Sequence, residues 1–165
     1  MNKLLLIFVT LLVLGKIQGQ TSEKESIQLT LDNWHKAAGE ANFVNYFELL
    51  TEDAIFIGTD AAEVWNKTEF MAFSKPYFDQ GKAWDFKAVE RNIYLDSAGK
   101  VAWFDELLDT WMQLCRGSGV LLKENGKWKI AQYVLSLTIP NEEIDPVIAL
   151  KKERDSTYLN GLKKR

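Results

Sequence analysis

The sequence is poor in the residue types that staple small proteins or bind metals. Among its 165 residues there is one cysteine, Cys115, and one histidine, His35. A single cysteine excludes an internal disulfide and a cysteine-based zinc site. One histidine without a local carboxylate cluster leaves too few ligands for a metal ion. We therefore expect a fold held together by its core, with no metal or other cofactor.

An excess of positive charge is also missing. Twenty lysine and arginine residues oppose 23 aspartate and glutamate residues, which gives a net charge of −3. Without Lys3 and Lys16, which belong to the N-terminal segment, 18 basic residues would remain and the net charge would be −5. A clustered basic surface is typical of nucleic-acid-binding proteins. The sequence thus predicts no nucleic-acid partner.

Long hydrophobic runs are absent except for one mostly apolar run of eleven residues at positions 4–14, which follows the basic Lys3. As a helix this run would rise only about 17 Å, well short of the roughly 30 Å hydrocarbon core of a membrane. It is typical of a secretory signal, which we place at residues 1–19 with cleavage after Gly19. The sequence predicts a secreted or periplasmic protein that is soluble after cleavage and has no membrane contact.

The rest of the chain has ample apolar material for one folded domain, since 47% of all residues are hydrophobic and 12% are aromatic. Apolar residues recur at helical spacing over residues 27–41, and a second, shorter helix is predicted to end near Thr51. A short strand follows at residues 54–57. Asn66 or Thr68 then begins a third helix, which Pro76 interrupts or restarts.

The second half has the composition of strands, with many β-branched and aromatic residues and an Asn-Gly hairpin signal at positions 125 and 126. The predicted strands cover residues 84–96, 101–112, 118–124 and 127–139. Helices followed by strands indicate an α+β fold in which N-terminal helices pack on a strongly curved antiparallel sheet. We place the domain at residues 20–141 and a charged, helical tail at residues 142–165.

Several short motifs in this order resemble the SnoaL-like branch of the nuclear transport factor 2-like superfamily. They are Trp34-His35, FIGTD at 56–60, AWFDE at 102–106, CRGSGVL at 115–121 and WKIAQY at 128–133. The resemblance spans roughly residues 27–141. It implies a cone-shaped fold with a mainly apolar pocket between helices and sheet, and frequently a homodimer formed through the sheet. The functions that it implies range from isomerases, dehydratases and cyclases to non-catalytic binding modules, and no catalytic residue set of these enzymes is matched here.

The candidate catalytic residues are His35, Asp105 and Glu106. His35 lies at the edge of the apolar stripe of the first helix and is the best-tuned acid or base of the chain. Because successive strand residues point to opposite faces, one of the two acids should point inward, where it needs a partner such as His35. Apolar neighbours accompany both acids, and we prefer Asp105 as the inward one. A purely structural role is the alternative for all three residues.

The candidate ligand-binding residues are aromatic or polar side chains predicted to face the pocket, namely Trp34, Trp65, Tyr77, Arg116, Gln132 and Tyr133. Arg116 could hold a ligand carboxylate through paired donors, and Gln132 is predicted to share a strand face with Ile130. Core packing is the alternative for the aromatic residues.

Three functions fit these residues. The first is binding of a small, largely apolar or aromatic ligand, and the second is an enzyme of isomerase, dehydratase or cyclase type with a His/acid pair. The third is a dimeric interaction module with a filled core. A pocket of roughly 300 Å³ or more would separate the first two from the third.

Overall fold

The computed structural model describes residues 23–164, and the predicted signal at residues 1–19 lies outside them. The elements follow in the order α1 (residues 23–39), α2 (Phe43–Glu48), β1 (Leu50–Ile57), β2 (Val64–Asn66), α3 (Lys67–Asp79), β3 (Lys87–Leu95), β4 (Val101–Thr110), β5 (Gln113–Glu124), β6 (Lys127–Leu137) and α4 (Ile144–Leu162). The predicted α+β class, with helices on a curved sheet, is confirmed.

All six strands form one sheet in the order β2-β1-β6-β5-β4-β3. Four of the five neighbouring pairs are antiparallel, and the exception is β1, which runs parallel to β6. The chain leaves β1, passes through α3 and the meander β3 to β6, and returns beside β1 in the same direction. The order of elements along the sequence does not determine this pairing.

Helix α1 covers the inner face of the sheet with the apolar stripe that its periodicity predicts. Ile27, Leu31, Trp34 and Ala38 are all almost fully buried. Glu23 anchors the start of this helix, because its carboxylate accepts a hydrogen bond from the Trp128 indole at 2.8 Å. The helix therefore has a fixed position over strands β5 and β6.

Helix α3 begins with a capping box. The Asn66 side chain accepts from the backbone N–H of Glu69 at 3.0 Å, and the Glu69 carboxylate accepts from the backbone N–H of Asn66 at 2.9 Å. Such reciprocal bonds satisfy two of the N–H groups that a helix start leaves unpaired. This cap fixes the start of the helix that carries Phe70 and Phe73.

Two β-bulges change the direction of side chains in the sheet. In β6, Val120 of the neighbouring strand pairs with Gln132 while Leu121 pairs with Ile130, so that Ala131 is an extra residue. A second register shift occurs in β3, between Ala88 and Glu90. A bulge bends its strand and increases the local twist. The alternation of inward and outward side chains along β6 therefore restarts after Ala131.

Helix α4 lies outside the core and has no buried residue. Its Tyr158 hydroxyl donates to the Ala61 carbonyl, at 3.2 Å, in the segment between β1 and β2. Within residues 23–164, no helix combines the length and the apolar character that a membrane crossing requires.

Candidate functional site

The inner face of the sheet carries a buried polar cluster centred on Glu106 of β4, which is fully buried. One carboxylate oxygen, Oε1, lies 2.8 Å from His35 Nε2 and accepts a bond from the Tyr133 hydroxyl at 3.1 Å. The other oxygen, Oε2, accepts from Arg91 Nε at 2.8 Å. Arg91 also reaches the surface, where its guanidinium donates to Asp32 of α1 at 2.6 Å. The cluster thus ties α1 to three strands.

The surroundings of Glu106 determine its ionisation. Burial raises its pKa, but the hydrogen bond and the charge of His35, together with the charge of Arg91, outweigh burial and hold the pKa below its usual range. The same carboxylate and the burial of the phenol raise the pKa of Tyr133 well above its ordinary value. Glu106 is therefore an anion at neutral pH. Because an ionised carboxylate only accepts hydrogen bonds, His35 Nε2 carries the proton that it donates.

Glu106, and not Asp105, is the acid that points inward, so our preference for Asp105 was wrong. Phe104 and Leu108 share the inner face with Glu106 and are buried, whereas Trp103 shares the outer face with Asp105 and is 47% exposed. Because apolar residues lie on both faces of β4, the sequence did not show which of the two acids points inward. Asp105 lies on the outer face and faces Arg116 of β5 at 3.6 Å.

Aromatic rings fill the interior around the cluster. Trp34 stacks on Tyr46 with centroids 5.0 Å apart, and its edge meets the Tyr133 ring at 4.7 Å. The Trp34 Nε1 and Tyr46 Oη atoms are buried without a hydrogen-bond partner within the described part of the chain. Trp34 is therefore a core residue, and core packing is the alternative role that the sequence analysis gave for the aromatic candidates.

A separate apolar cavity of about 160 Å³ lies between α3, the sheet and the segment before β3. Seven aromatic side chains line it, namely Phe56, Trp65, Phe70, Phe73, Trp84, Phe86 and Trp111, together with Met112 and Leu135. Its volume is about half of the roughly 300 Å³ that we set to separate ligand binding from a filled core, so volume alone does not favour binding over an interaction module. An apolar cavity of about 150 Å³ can hold a molecule of the size of benzene, so a single ring is the size that fits here.

The rings that line the cavity are nearly parallel. Phe70 stacks on Phe56 at 3.9 Å with an interplanar angle of 14°, and Trp84 lies at 24° to Phe70. Trp65 stacks on Phe73 at 4.4 Å and 23°. Offset-stacked rings at such distances attract one another beyond the effect of area burial. Five of the lining rings, those of Phe56, Trp65, Phe70, Phe73 and Trp84, therefore share nearly one orientation, and a flat molecule parallel to them would extend this stacking.

The mouth of the cavity combines an exposed indole with a polar turn. Trp111 in the β4–β5 turn is 78% exposed and lines the cavity. On the same rim, Gly58, Thr59 and Glu63 come from the turn between β1 and β2. The cavity thus opens to solvent between two turns.

The cavity and the polar cluster share no residue. Phe56 separates them, because its ring lines the cavity and also stacks on the Tyr133 ring at 5.6 Å and 29°. His35 is 7% exposed and does not line the cavity. His35 was predicted to face an apolar ligand pocket, and the structure does not place it there.

Of the candidate ligand-binding residues, Trp65 lines the cavity. Tyr77 is 48% exposed on α3, and Arg116 and Gln132 are exposed on the outer face of the sheet. Gln132 does not share a face with the buried Ile130, because the bulge at Ala131 lies between them. Tyr133 points inward but binds Glu106.

Sequence reasoning missed the rim residues Trp111 and Glu63. The available signal for Trp111 was a tryptophan in a turn, because a large apolar side chain is costly to expose there. Glu63 follows the FIGTD motif by only three residues, yet nothing in the local pattern shows that the turn folds its carboxylate toward Gly58. Phe56, Phe70 and Phe73 also line the cavity, and they were not among the candidates named from the sequence.

A curved sheet with helices packed on it places the protein in the nuclear transport factor 2-like class of folds. The family of SnoaL-like domains matches residues 27–140, and the chain belongs to this family. Among curated proteins, none matches the sequence significantly.

Three solved structures illustrate the similarity of fold. A nuclear transport factor 2-like protein of unknown function from Pseudomonas putida has 16% identity and a TM-score of 0.60, over 74% of this chain and 91% of its own. A candidate dehydratase of the same class from Streptomyces avermitilis has 12% identity and a TM-score of 0.64, over 73% and 99%. A candidate scytalone dehydratase from Novosphingobium aromaticivorans has 10% identity and a TM-score of 0.64, over 74% and 89%. At such identities the likeness concerns the fold alone.

Proposed function

We propose that this protein is an exported binding protein for a small, largely apolar or aromatic molecule, and that the ligand enters the aromatic cavity beside Trp65. The observation that carries the proposal is the cavity itself, a space of about 160 Å³ lined by seven aromatic side chains, among them the exposed Trp111. Ligand sites in proteins are concave, mainly apolar and supplied with a few polar groups. Export is supported by the N-terminal basic residue and the apolar run of the sequence.

The exposed indole of Trp111 supports the same proposal. Burying a large aromatic side chain is favourable by about 1.5–3 kcal/mol, so an indole left 78% exposed at the lip of an apolar cavity gains from any apolar molecule that covers it. A ring seated in the cavity would contact this indole and remove both surfaces from water. The free energy of binding thus comes from removing the apolar surface of the cavity and of the Trp111 indole from water.

The indole N–H signals in a two-dimensional NMR spectrum test this function, because the six tryptophans divide into two groups. Trp65, Trp84 and Trp111 line the cavity, whereas Trp34, Trp103 and Trp128 do not. Titration of the mature protein with benzyl alcohol should shift the first three signals in a saturable manner and leave that of Trp103 unchanged. Trp111→Ala should weaken binding several-fold, and Trp103→Ala, which removes an exposed indole from the outer face, is the matched control. Absence of saturable shifts, or shifts of all six signals together, would contradict the proposal.

Proton transfer is a second candidate function, favoured by the 2.8 Å contact between His35 and Glu106. An oriented imidazole beside a carboxylate is a common general base. This function has less support, since both oxygens of Glu106 are already occupied by His35, Tyr133 and Arg91, and Phe56 lies between the cluster and the cavity. The cluster meets the requirements of a structural ion pair without any ligand. His35→Gln should leave the affinity for benzyl alcohol unchanged if binding alone is the function.

A further inference from the structure

We propose that the natural ligand is a small organic cation, with its apolar body in the aromatic cavity and a protonated or quaternary nitrogen at Glu63. This inference rests on the proposed binding function and specifies the chemical class of its ligand. It starts from the only charged side chain that lines the cavity within the described residues, the carboxylate of Glu63.

The Glu63 carboxylate is held in place but has no cationic partner. Its Oε2 atom accepts the backbone N–H of Asp60 at 3.1 Å, and the backbone N–H of Gly58 donates to the Glu63 carbonyl at 2.9 Å. Across residues 23–164, no lysine, arginine or histidine nitrogen lies within 4.0 Å of this carboxylate. A fixed negative charge therefore stands at the cavity without a counter-ion from the chain.

Gly58 makes this position possible. A Cβ atom at residue 58 would collide with Glu63 Oε2 and would also press on Glu63 Cβ, at 3.0 Å. The backbone of Gly58 does not adopt a positive φ, so the absence of a side chain, rather than backbone freedom, is what the turn uses. The glycine thus leaves the space in which the carboxylate lies at the rim.

The cavity walls favour the same sign of charge. The faces of aromatic rings carry negative electrostatic potential and attract ammonium groups within about 6 Å, with the strongest effect for tryptophan. Trp65, Trp84 and Trp111 all line the cavity, and no basic side chain does. A cation would thus find the Glu63 carboxylate in a cavity lined by aromatic residues and by no basic side chain among the described residues, whereas an anion would be repelled by that carboxylate.

The probes that test this inference are benzylamine, benzyl alcohol and benzoate, which share one ring and differ in charge at pH 7. We expect benzylamine to bind about fivefold more tightly than benzyl alcohol, which corresponds to the roughly 1 kcal/mol of an ion pair between its ammonium group and the partly exposed Glu63 carboxylate. Benzoate should bind more weakly than either. Affinities are taken from the indole N–H signals of Trp65 and Trp84 in the mature protein.

Two variants assign the preference to Glu63. Glu63→Gln keeps an oxygen that can accept the Asp60 N–H, and should reduce the benzylamine preference to less than about twofold while the affinity for benzyl alcohol is unchanged. Asp60→Asn, which alters the other acid of the same turn, is the control and should keep the preference. Gly58→Ala, which displaces the carboxylate, should behave like Glu63→Gln.

The outcomes separate this inference from the function on which it rests. If benzyl alcohol binds as tightly as benzylamine, or if the preference persists in Glu63→Gln, the cation inference is wrong and the binding function stands. If neither probe gives saturable shifts of the cavity indoles, both are wrong. If benzoate binds as tightly as benzylamine, the cavity does not select charge and the inference is overturned.

Discussion

Gly117 of β5 lies directly beneath the hydroxyl group of Tyr133, where a Cβ atom at residue 117 would collide with that oxygen and come within 2.9 Å of Glu106 Oε1. The hydrogen bond from Tyr133 to Glu106 therefore needs a strand residue without a side chain. This requirement explains why β5 carries a glycine in its interior, where glycine is otherwise unfavourable. Because β5 spans Gln113–Glu124, Gly117 lies inside this strand, whereas the predicted strand at residues 118–124 began after it.

Gly117→Ala should lower the free energy of unfolding by about 1–3 kcal/mol, because the added methyl group overpacks the buried cluster. The measurement is urea-induced unfolding of the mature protein. In a Tyr133→Phe background the same substitution should cost less, since the colliding oxygen is gone, and a double-mutant cycle measures the difference. Equal costs in both backgrounds would show that the two groups do not meet.

Glu106→Gln should be destabilising, by about 1.5–3 kcal/mol, because Arg91 loses the buried one of its two carboxylate partners and keeps only Asp32 at the surface. Asp105→Asn is the matched control on the adjacent residue. Asp105 lies on the outer face, where its ion pair with Arg116 is partly exposed, and its loss should cost less than about 1 kcal/mol. Urea unfolding of both variants measures the contrast, and similar losses would contradict the assignment of the inward acid.

The stability that Glu106 provides should depend on pH in a defined direction. Its pKa in the folded protein lies below the ordinary value of 4.5, through His35 and Arg91, so the contribution is present above that value and is lost as the pH falls through the lowered pKa. The difference in unfolding free energy between the wild type and Glu106→Gln should therefore narrow from pH 5 toward pH 2. Glu23 and Asp96, whose pKa values are also lowered, titrate in both proteins and cancel in this difference. A gap that stays constant over this range would be inconsistent with an ionised Glu106.

We expect a homodimer through the outer face of the sheet, as the family resemblance implies. On that face Trp103 and Tyr94 stack at 5.8 Å and 14°, and both remain exposed. Trp103→Glu should then shift the protein toward monomer in sedimentation velocity. Trp111→Glu, which changes an even more exposed indole at the cavity, should not. A wild-type protein that is monomeric at all concentrations would refute this expectation.

The sequence allowed prediction of those features that depend on local periodicity. The apolar residues of α1 recur at helical spacing and so lie on one side of the helix. Asn66, which was predicted together with Thr68 as a possible start of α3, is a residue type that caps helices. Such reasoning could not decide which face of β4 points inward, because both faces carry apolar residues. Trp103 and Leu107 lie on one face, and Phe104 and Leu108 lie on the other. The parallel contact between β1 and β6, and the cavity that α3 forms with Trp84 and Trp111, arise from contacts between residues far apart in the chain.

The supernumerary Ala131 in β6 has a consequence for how such folds diversify. A bulge adds bend and twist to its strand, so the gain or loss of one residue at this point would alter the curvature of the whole sheet. The inward residues on either side, Ile130 and Tyr133, would keep their identity and their facing. The shape of the interior in this chain therefore depends on the number of residues in β6 as well as on which side chains face inward.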